Sequence, residues 1–347
     1  MNIQLWTWLR HSLLIIGVTV GGLALAACGG SGGSGGTGHT ITLYNGQHPQ
    51  LTTALVDAFE KQSGIHVQVR TDDGIVLADQ ILQEGSKSPA DVYLTENSPE
   101  LVALTEHHLL AQLPASITNQ IPSHYNSPTG NWVGIALRVA ALVYNPSLIS
   151  PSQLPTKLLD LAQPQWKGKV AVAPTDSDFV PLVGAVITSY GTSTAQNWLT
   201  GLKDNAASYQ DIEGVVAAVN RGTEAVGIIN QYYWYRLGLE AGAGGVHSKL
   251  YFFPNHDVGA LENIGGAAVL ASSTHQADAD KFVAFLVSAQ AQNILSAGDD
   301  FEYPIRPGIS PNPQLPPLSS LNPAVIDVIK LGDDQPAAAL IQKVGLT

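Results

Sequence analysis

The chain has 347 residues, a formal net charge of -12, 45% hydrophobic residues and 13% charged residues. A chain of this length exceeds the usual size of one hydrophobic core, so two domains or lobes are expected. No run of lysine and arginine could follow a phosphate backbone, which argues against nucleic acid as a partner and against a basic membrane-binding surface.

The N-terminal segment is predicted to be a secretory signal. After Arg10 comes the apolar stretch LLIIGVTVGGLALAAC, which ends in small residues and is too short and too rich in glycine for a comfortable transmembrane helix. Its last four residues, Leu25 to Cys28, resemble the bacterial lipoprotein signal, in which the peptide is cleaved before a cysteine that becomes lipidated. Cys28 is the only cysteine, which excludes an internal disulfide.

A tether follows this signal. The sequence GGSGGSGGTG, from Gly29 to Gly38, is typical of flexible Gly/Ser linkers. We therefore assign residues 1–27 to the signal peptide, and residues 28–39 to the lipidated cysteine and the tether. These features predict a lipoprotein that is anchored to the outer face of the bacterial cell membrane, with its folded part in water.

The folded part is predicted to open with a strand, a helix and a second strand. The segment ITLYNG alternates apolar and polar residues and breaks at Asn45-Gly46. A helix follows, because apolar residues recur every four positions from Leu51 to Phe59, and Gly64 ends it. The segment IHVQV then alternates again. This is a βαβ unit with parallel strands.

Further strands alternate with helical segments along the chain. Strands are predicted in PADVYLTEN, VAALVYN, WKGKVAVAP and EAVGIIN, and one helix is predicted in DADKFVAFLVSAQAQNIL. The segment from Pro307 to Pro323 is rich in proline and is expected to be irregular. The alternating order predicts an α/β architecture.

Two adjacent tyrosines, Tyr232 and Tyr233, come directly after the strand EAVGIIN. At a strand-to-helix junction such neighbours can converge, and open α/β sheets bind ligands at the carboxyl ends of their strands. Phenolate is a hard anionic donor suited to Fe(III), and His48 and Glu96, each after a predicted strand, would complete a charge-balanced site. Spacing alone leaves open that the tyrosines are core residues and that His48 and Glu96 are solvated.

Six segments together are similar to a known family. ITLYNGQH, PADVYLTEN, QPQWKGKV, NWLTGL, INQYYWY and GGAAVL resemble, in order, segments of bacterial periplasmic ferric-ion-binding proteins, the solute receptors of iron(III) ABC transporters. The resemblance covers nearly the whole mature chain. It implies that His48, Glu96, Tyr232 and Tyr233 hold Fe(III), in the interlobe cleft of a two-lobed α/β periplasmic-binding-protein fold of class II. It also implies delivery to an ABC permease and its ATPase subunit.

Members of this family often bind a synergistic anion, usually phosphate or carbonate, beside the metal. The family segment that supplies Ser, Gly and Ala to the anion falls here on Asp176, Ser177 and Asp178, and two carboxylates would repel a phosphate. Ser177, Asn230 and Asn97 remain as the expected donors to such an anion.

The lobes are expected to divide near Arg138 and again near Glu262. One lobe would comprise residues 40–138 and about 263–313, and the other residues 139–262 and about 314–347. His48 and Glu96 then lie in the first lobe and the tyrosine pair in the second, so the lobes would close on the metal by a hinge motion. A monomer is expected.

Two alternatives to an iron receptor stay open at this point. Tyrosinates and histidine also surround Fe(III) in ring-cleaving dioxygenases, although nothing in the chain resembles one and we predict that it is not an enzyme. A receptor of the same fold could instead bind thiamine, a polyamine or a phosphonate, because related receptors share strands similar to PADVY and an aromatic run could stack on such a ligand.

Overall fold

The computed structural model describes residues 39–242 and 244–346, in which helices and strands alternate along the chain. The strands are β1 (Thr40–Gly46), β2 (His66–Thr71), β3 (Val92–Thr95), β4 (Trp132–Tyr144), β5 (Val170–Val172), β6 (Ala206–Ser208), β7 (Val226–Asn230), β8 (Lys249–Tyr251), β9 (Glu262–Val269) and β10 (Tyr303–Pro304). The α-helices are α1 (Pro49–Ser63), α2 (Gly74–Glu84), α3 (Ser98–Glu106), α4 (Ala115–Thr118), α5 (Phe179–Tyr190), α6 (Thr192–Asn205), α7 (Ile212–Asn220), α8 (Gln231–Ala241), α9 (Gln276–Leu286), α10 (Ala289–Ala297), α11 (Val328–Leu331) and α12 (Gln335–Val344).

The strands form one mixed sheet in the order β2-β1-β3-β9-β4-β7-β5-β6, with β8 and β10 also paired to β4. The predicted opening unit is confirmed, because β1 and β2 are parallel and α1 connects them. Gly64 ends α1 in the left-handed conformation with φ 71°, which glycine adopts without strain.

Strand β4 is longer than the sequence indicated, since it begins at Trp132 rather than Val139. Its sequence WVGIALRVAALVY is buried at every position, as expected for a central strand covered on both faces. The pairing of β4 changes along its length: Trp132 to Val139 pair with β9, and Ala140 to Tyr144 pair with β7. A register shift between Gly134 and Ala136 marks an irregularity that interrupts the simple alternation.

The prediction of a single helix in DADKFVAFLVSAQAQNIL is wrong, because the structure has two helices there, α9 and α10. The side chain of Ser288 accepts a hydrogen bond from the backbone N–H of Ala291 and caps α10. A new helix therefore begins after Ser288, although the apolar pattern of the sequence continues without a break. The proline-rich segment 307–323 is irregular apart from the short 3-10 helix Leu318–Leu321, as predicted.

The carboxyl ends of β1, β3 and β7 lead directly into helices, and these junctions carry the predicted site residues. Close approach of the chain at one junction requires a glycine. A Cβ atom on Gly46, at the end of β1, would lie 2.6 Å from the backbone Cα of Gly74, at the start of α2. The absence of a side chain thus lets the loop that carries His48 pack against the start of α2.

Candidate metal centre

The predicted metal ligands meet in one cavity of about 200 Å³. His48 directly precedes α1, Glu96 follows β3, and Tyr232 and Tyr233 lie in the first turn of α8. The Nε2 atom of His48 is 3.2 Å from Oε1 of Glu96, and the His48 and Tyr232 rings meet edge to face with centroids 4.8 Å apart. The two tyrosine rings stack with centroids 4.1 Å apart. Residues nearly 200 positions apart in the chain are therefore neighbours here.

A further oxygen donor beside the tyrosines comes from Asp178, which directly precedes α5. Its Oδ2 atom accepts a hydrogen bond from the Tyr232 hydroxyl at 3.0 Å, and its Oδ1 atom lies 3.0 Å from Nη2 of Arg138. From the sequence, Asp178 was expected only to repel an anion. Nothing local in the sequence identifies its partner, because Tyr232 lies 54 positions further along the chain.

Arg138, on β4, is the buried cation of the site, with 1% of its surface exposed. Its guanidinium donates to the carboxylate and the backbone carbonyl of Glu96 and to Oδ1 of Asn97, and it also forms the ion pair with Asp178. Another carboxylate, Glu302, lies 3.6 Å from Nη1. Although burial opposes a charge here, Asp178 and Glu96 raise the pKa of Arg138, so it remains protonated.

The second nitrogen of His48 faces two acidic side chains. Its Nδ1 atom lies 3.3 Å from Oδ1 of Asp300 and 3.8 Å from Oε1 of Glu302. Burial lowers the pKa of His48, so the neutral imidazole is favoured. With the proton on Nδ1, towards these carboxylates, the lone pair of Nε2 points to the side of Glu96. Such an outer carboxylate commonly orients a metal-binding histidine.

The two phenols and the carboxyl group of Glu96 hold their protons more tightly than usual when no metal ion is present. Burial, reinforced by Asp178, raises the pKa of Tyr232 and of Tyr233 well above 10. Burial also raises the pKa of Glu96 to about 8 in spite of the adjacent Arg138 guanidinium. A strongly charged cation is therefore needed to ionise both phenols near neutral pH.

The expected anion donors are only partly gathered at the cavity. Ser177 and Asn97 line it together with the predicted metal ligands, whereas Asn230 is not among its lining residues. The Oδ1 atom of Asn97 already accepts hydrogen bonds from Arg138 and Asn263. The amide nitrogen of Asn230 is buried and has no hydrogen-bond partner within the described part of the chain.

Other charged residues border the same cavity and were not predicted to do so. Asp72 and Asp73 are exposed, as expected for a solvated turn, yet both line the cavity, and Asp73 also caps α2 by accepting from the N–H of Ile75. Glu213 and Arg236 line the cavity from α7 and α8. The opening thus has more acidic than basic side chains, which favours the entry of a cation.

The spacing within two pairs of donor atoms is compatible with a shared metal ion. Metal–oxygen bonds of about 2.0–2.2 Å place neighbouring donors of an octahedron about 2.8–3.1 Å apart. The Tyr232–Asp178 oxygen pair at 3.0 Å and the His48–Glu96 pair at 3.2 Å are close to that spacing. His48, Glu96 and Glu302 also offer ligand atoms that all lie within 4.8 Å of one another. The hard oxygen and nitrogen donors suit Fe(III).

Comparison with known proteins identifies the family. A family model described as bacterial extracellular solute-binding protein matches residues 87–325. The "Fe(3+)-binding periplasmic protein" of Serratia marcescens is 40% identical over 306 residues, which cover 88% of this chain and 90% of that protein. The "Major ferric iron-binding protein" of Neisseria meningitidis serogroup B is 35% identical over 343 residues, which cover 98% of this chain and 99% of that protein.

Solved structures agree with this assignment. Iron-bound HitA from Pseudomonas aeruginosa matches with a TM-score of 0.84 and 40% identity, over 88% of this chain and 99% of that chain. The Trichodesmium protein IdiA (FutA), in complex with iron and citrate, matches with a TM-score of 0.77 and 30% identity, over 89% of this chain and 100% of that chain. The chain therefore has the two-lobed α/β fold of periplasmic ferric-binding proteins, as predicted, and it belongs to the family of bacterial extracellular solute-binding proteins.

Proposed function

We propose that this chain is an extracytoplasmic receptor that binds Fe(III) and delivers it to an ABC permease with its ATPase subunit for iron uptake. The observation that carries the proposal is the meeting of His48, Glu96, Tyr232 and Tyr233 in one cavity, with Asp178 hydrogen-bonded to Tyr232 behind its lining. The names of the relatives support the choice of ferric iron. Those relatives are iron-binding transport proteins rather than enzymes, and this chain likewise is not an enzyme.

The charges of these residues support a trivalent ion. Tyr232, Tyr233, Glu96 and Asp178 supply one more negative charge than Fe(III) neutralises once all four are ionised. The guanidinium of Arg138, which contacts Glu96 and Asp178, balances that additional charge when the nearby Glu302, whose pKa burial raises to about 7, is neutral. A divalent ion would leave the buried site with a net negative charge, which is costly in a region of low dielectric constant.

Titration of the iron-free protein with Fe(III), supplied as its nitrilotriacetate complex, tests the function. We expect one ion per chain and a visible absorption band from phenolate-to-iron charge transfer. His48→Ala and Glu96→Ala should each weaken binding by more than about tenfold, since even outer partners of metal ligands contribute that much. His107→Ala, which changes an exposed histidine, is the matched control. Absence of the band, or equal affinity in all three variants, would contradict the proposal.

The alternative ligands can be tested with the same protein. Thiamine, 1,4-diaminobutane and an alkylphosphonate should not compete with Fe(III) for the cavity, because the site offers buried oxygen and nitrogen ligands rather than an open aromatic surface. Catechol should not be consumed by the iron-loaded protein. Competition by one of these compounds would favour the corresponding receptor, and oxygen uptake with catechol would favour an enzyme.

A synergistic anion, either phosphate or carbonate, would use Ser177, Asn97 and Asn230 as donors. The contact between Asp178 and Tyr232 supports a different source of negative charge. In this arrangement, the Asp178 carboxylate takes the place of an external anion. We therefore expect the affinity of the unmodified protein for Fe(III) to change by less than about threefold, or about 0.7 kcal/mol, when phosphate is added, because Asp178 already supplies the negative charge that phosphate would bring and would repel it.

Asp178→Asn keeps the shape of the side chain and removes its charge. This change should lower Fe(III) affinity by at least about tenfold, because a charge-assisted contact is lost. Added phosphate should restore part of the loss in the variant. Glu213→Gln, at a carboxylate that lines the same cavity without a hydrogen bond to Tyr232, is the control. Affinity measured by competition with a chelator decides the question, and an unaffected Asp178→Asn would rule out this role.

The lobe boundaries are part of the proposal. The first lobe, residues 40–138 and about 263–313, would carry His48 and Glu96, and the second, residues 139–262 and about 314–347, would carry Asp178 and the tyrosines. The change of β4 pairing between Val139 and Ala140 supports the first crossing point. Small-angle X-ray scattering during the iron titration should show a smaller radius of gyration after loading, and equal radii would speak against closure.

The lipid anchor is likewise proposed, because Cys28 and the tether lie outside the described residues. In the described part of the chain, no helix is long and apolar enough to cross a membrane. Cys28→Ser should move the protein from the membrane fraction to the soluble fraction with unchanged Fe(III) affinity, since the serine cannot take the lipid. Ser31→Ala, in the tether, should remain with the membrane. Membrane retention of the Cys28 variant, or loss of its iron binding, would contradict this arrangement.

A further inference from the structure

A second cavity, of about 170 Å³, lies between α2, α3 and the chain at the start of α12. It shares none of its described lining residues with the metal centre. Apolar side chains, among them Ile75 and Leu82, form part of its lining, and its described lining residues include no lysine or arginine. Four carboxylates also line it: Asp79, Glu100, Asp333 and Asp334. The cavity therefore combines an apolar surface with four carboxyl groups, and His107 is the one basic side chain among its described lining residues.

Two of these carboxylates have oxygens that lack partners. Glu100 is only 4% exposed; its Oε2 atom accepts hydrogen bonds from Tyr93 and Thr95, while Oε1 is buried without a hydrogen-bond partner in the described structure. The Oδ2 atom of Asp334 is also buried without a hydrogen-bond partner in the described structure. Buried polar atoms are nearly always satisfied, so an unsatisfied pair at one cavity indicates a missing ligand. Burial raises the pKa of each carboxyl to about 8.

The geometry disfavours a metal ion as that ligand. Within the described residues, the group of three metal-binding side chains with ligand atoms closer than 4.8 Å is at the metal centre, and the second cavity does not contain another. An ammonium nitrogen stands about 2.8 Å from each acceptor and its three donors diverge tetrahedrally, so it can join oxygens up to about 4.6 Å apart. Its methylene groups would cover the apolar lining and remove it from water.

We propose that this cavity binds a small primary alkylammonium ion, with the ammonium group between Glu100 and Asp334 and the alkyl chain against Ile75 and Leu82. The ion supplies the donors that the two buried oxygens lack. Because the ligand contacts α2 and α3 on one side and the start of α12 on the other, it stabilises the packing of the C-terminal helix. The site is independent of the function proposed for the metal centre.

Titration of the iron-free full chain with n-butylammonium chloride at pH 8.5, followed by calorimetry, tests the site. We expect saturable binding of one ion per chain and a higher melting temperature, because the ion binds the native state. 1-Butanol, which has the same alkyl chain without the charge, and Ca²⁺ should not bind. Binding of 1-butanol with equal affinity, preferential binding of Ca²⁺, or no saturable binding of n-butylammonium would overturn the proposal.

Variants locate the bound ion. Glu100→Gln and Asp334→Asn should each weaken n-butylammonium binding by at least about tenfold, since each loses a charge-assisted hydrogen bond. Glu106→Gln, an exposed carboxylate on the same helix as Glu100, is the matched control. If circular dichroism shows that Glu100→Gln is unfolded, the half-buried Asp334 alone decides, and unchanged binding in Asp334→Asn overturns the site.

A last variant separates the two cavities. The double substitution of Tyr232 and Tyr233 by phenylalanine should leave n-butylammonium binding unchanged, because neither residue lines the second cavity. Loss of ammonium binding in that variant would place the ion in the metal centre and overturn the inference. A failure of iron binding in the unmodified protein, with ammonium binding intact, would contradict only the function proposed for the metal centre.

Discussion

Phenylalanine at both Tyr232 and Tyr233 should abolish the visible absorption of the iron-loaded protein. It should also lower Fe(III) affinity by well over the roughly 10–100-fold typical of losing an outer partner of a ligand. Each single substitution removes one anionic donor and leaves a net positive centre, so it should have an intermediate effect on both quantities. Absorption spectra and chelator competition measure the two effects.

The adjacent Tyr235 provides a matched control. It belongs to the same aromatic run, but its ring stacks on Phe301 with centroids 5.2 Å apart, and it does not line the metal cavity. Tyr235→Phe removes the same hydroxyl group from the same helix and should leave colour and affinity unchanged. An iron-loaded double variant with undiminished colour would assign the tyrosine pair to packing.

Proton release gives a second measure of the tyrosine pair. The raised pKa values mean that Tyr232 and Tyr233 are protonated in the iron-free protein at pH 7, so loading must release both phenol protons. Glu96, with a pKa of about 8, adds the fraction of a proton that it carries at that pH. Affinity should therefore fall as the pH falls. Titration in weakly buffered solution counts the protons, and loading without release would contradict tyrosinate ligation.

Arg138→Met should destabilise the iron-free protein by about 3–5 kcal/mol, the usual cost of removing one partner from a buried ion pair. The change leaves the carboxylates of Glu96, Asp178 and Glu302 together in the interior with no adjacent cation. Unfolding in urea without iron measures the loss. Bound iron should reduce this loss of stability, because Fe(III) supplies positive charge at the same carboxylates.

The loss of unfolding free energy in Arg138→Met should increase with pH. Burial already raises the pKa values of Glu96 and Glu302 in the native state, and without Arg138 they lose the adjacent cation that opposes this shift, so the native state binds more protons than the unfolded state. Stability is then retained at low pH and decreases as the pH rises through those raised values. Arg70→Met is the control, because Arg70 is exposed and lies over the Tyr44 ring. Its substitution should lower the free energy of unfolding by no more than about 1 kcal/mol. A loss below that value for Arg138→Met would contradict a structural role for its charge.

The sequence is sufficient to predict features that depend on local pattern. The opening βαβ unit follows from the change between two-residue and four-residue periodicity, and the tyrosine pair follows a strand whose end is recognisable. The position of the α9–α10 break was missed because the apolar pattern continues through Ser288, and only the cap hydrogen bond distinguishes two helices from one.

The partners of the metal ligands depend on contacts between distant segments, and periodicity does not reveal these. Asp178, Arg138 and Glu302 come from three separate parts of the chain, and their contacts are fixed by the sheet order. One signal was available, since Arg138 is the only charged residue in the apolar run WVGIALRVAALVY. A charge in a fully buried strand must have a partner, so that run already indicated acidic side chains nearby.

Strand β4 also determines how the site would move. Arg138 lies at the last positions that pair with β9, and from Ala140 onward the strand pairs with β7. In a hinge motion about this point, the residue at the pivot has the shortest lever arm, so its guanidinium stays almost in place while Glu96 and Asp178 swing apart. The positive charge of Arg138 would then lie at the hinge rather than in either lobe. If the proposed hinge lies here, Arg138 would stay between the separating carboxylates and partly offset their negative charge when the ion leaves.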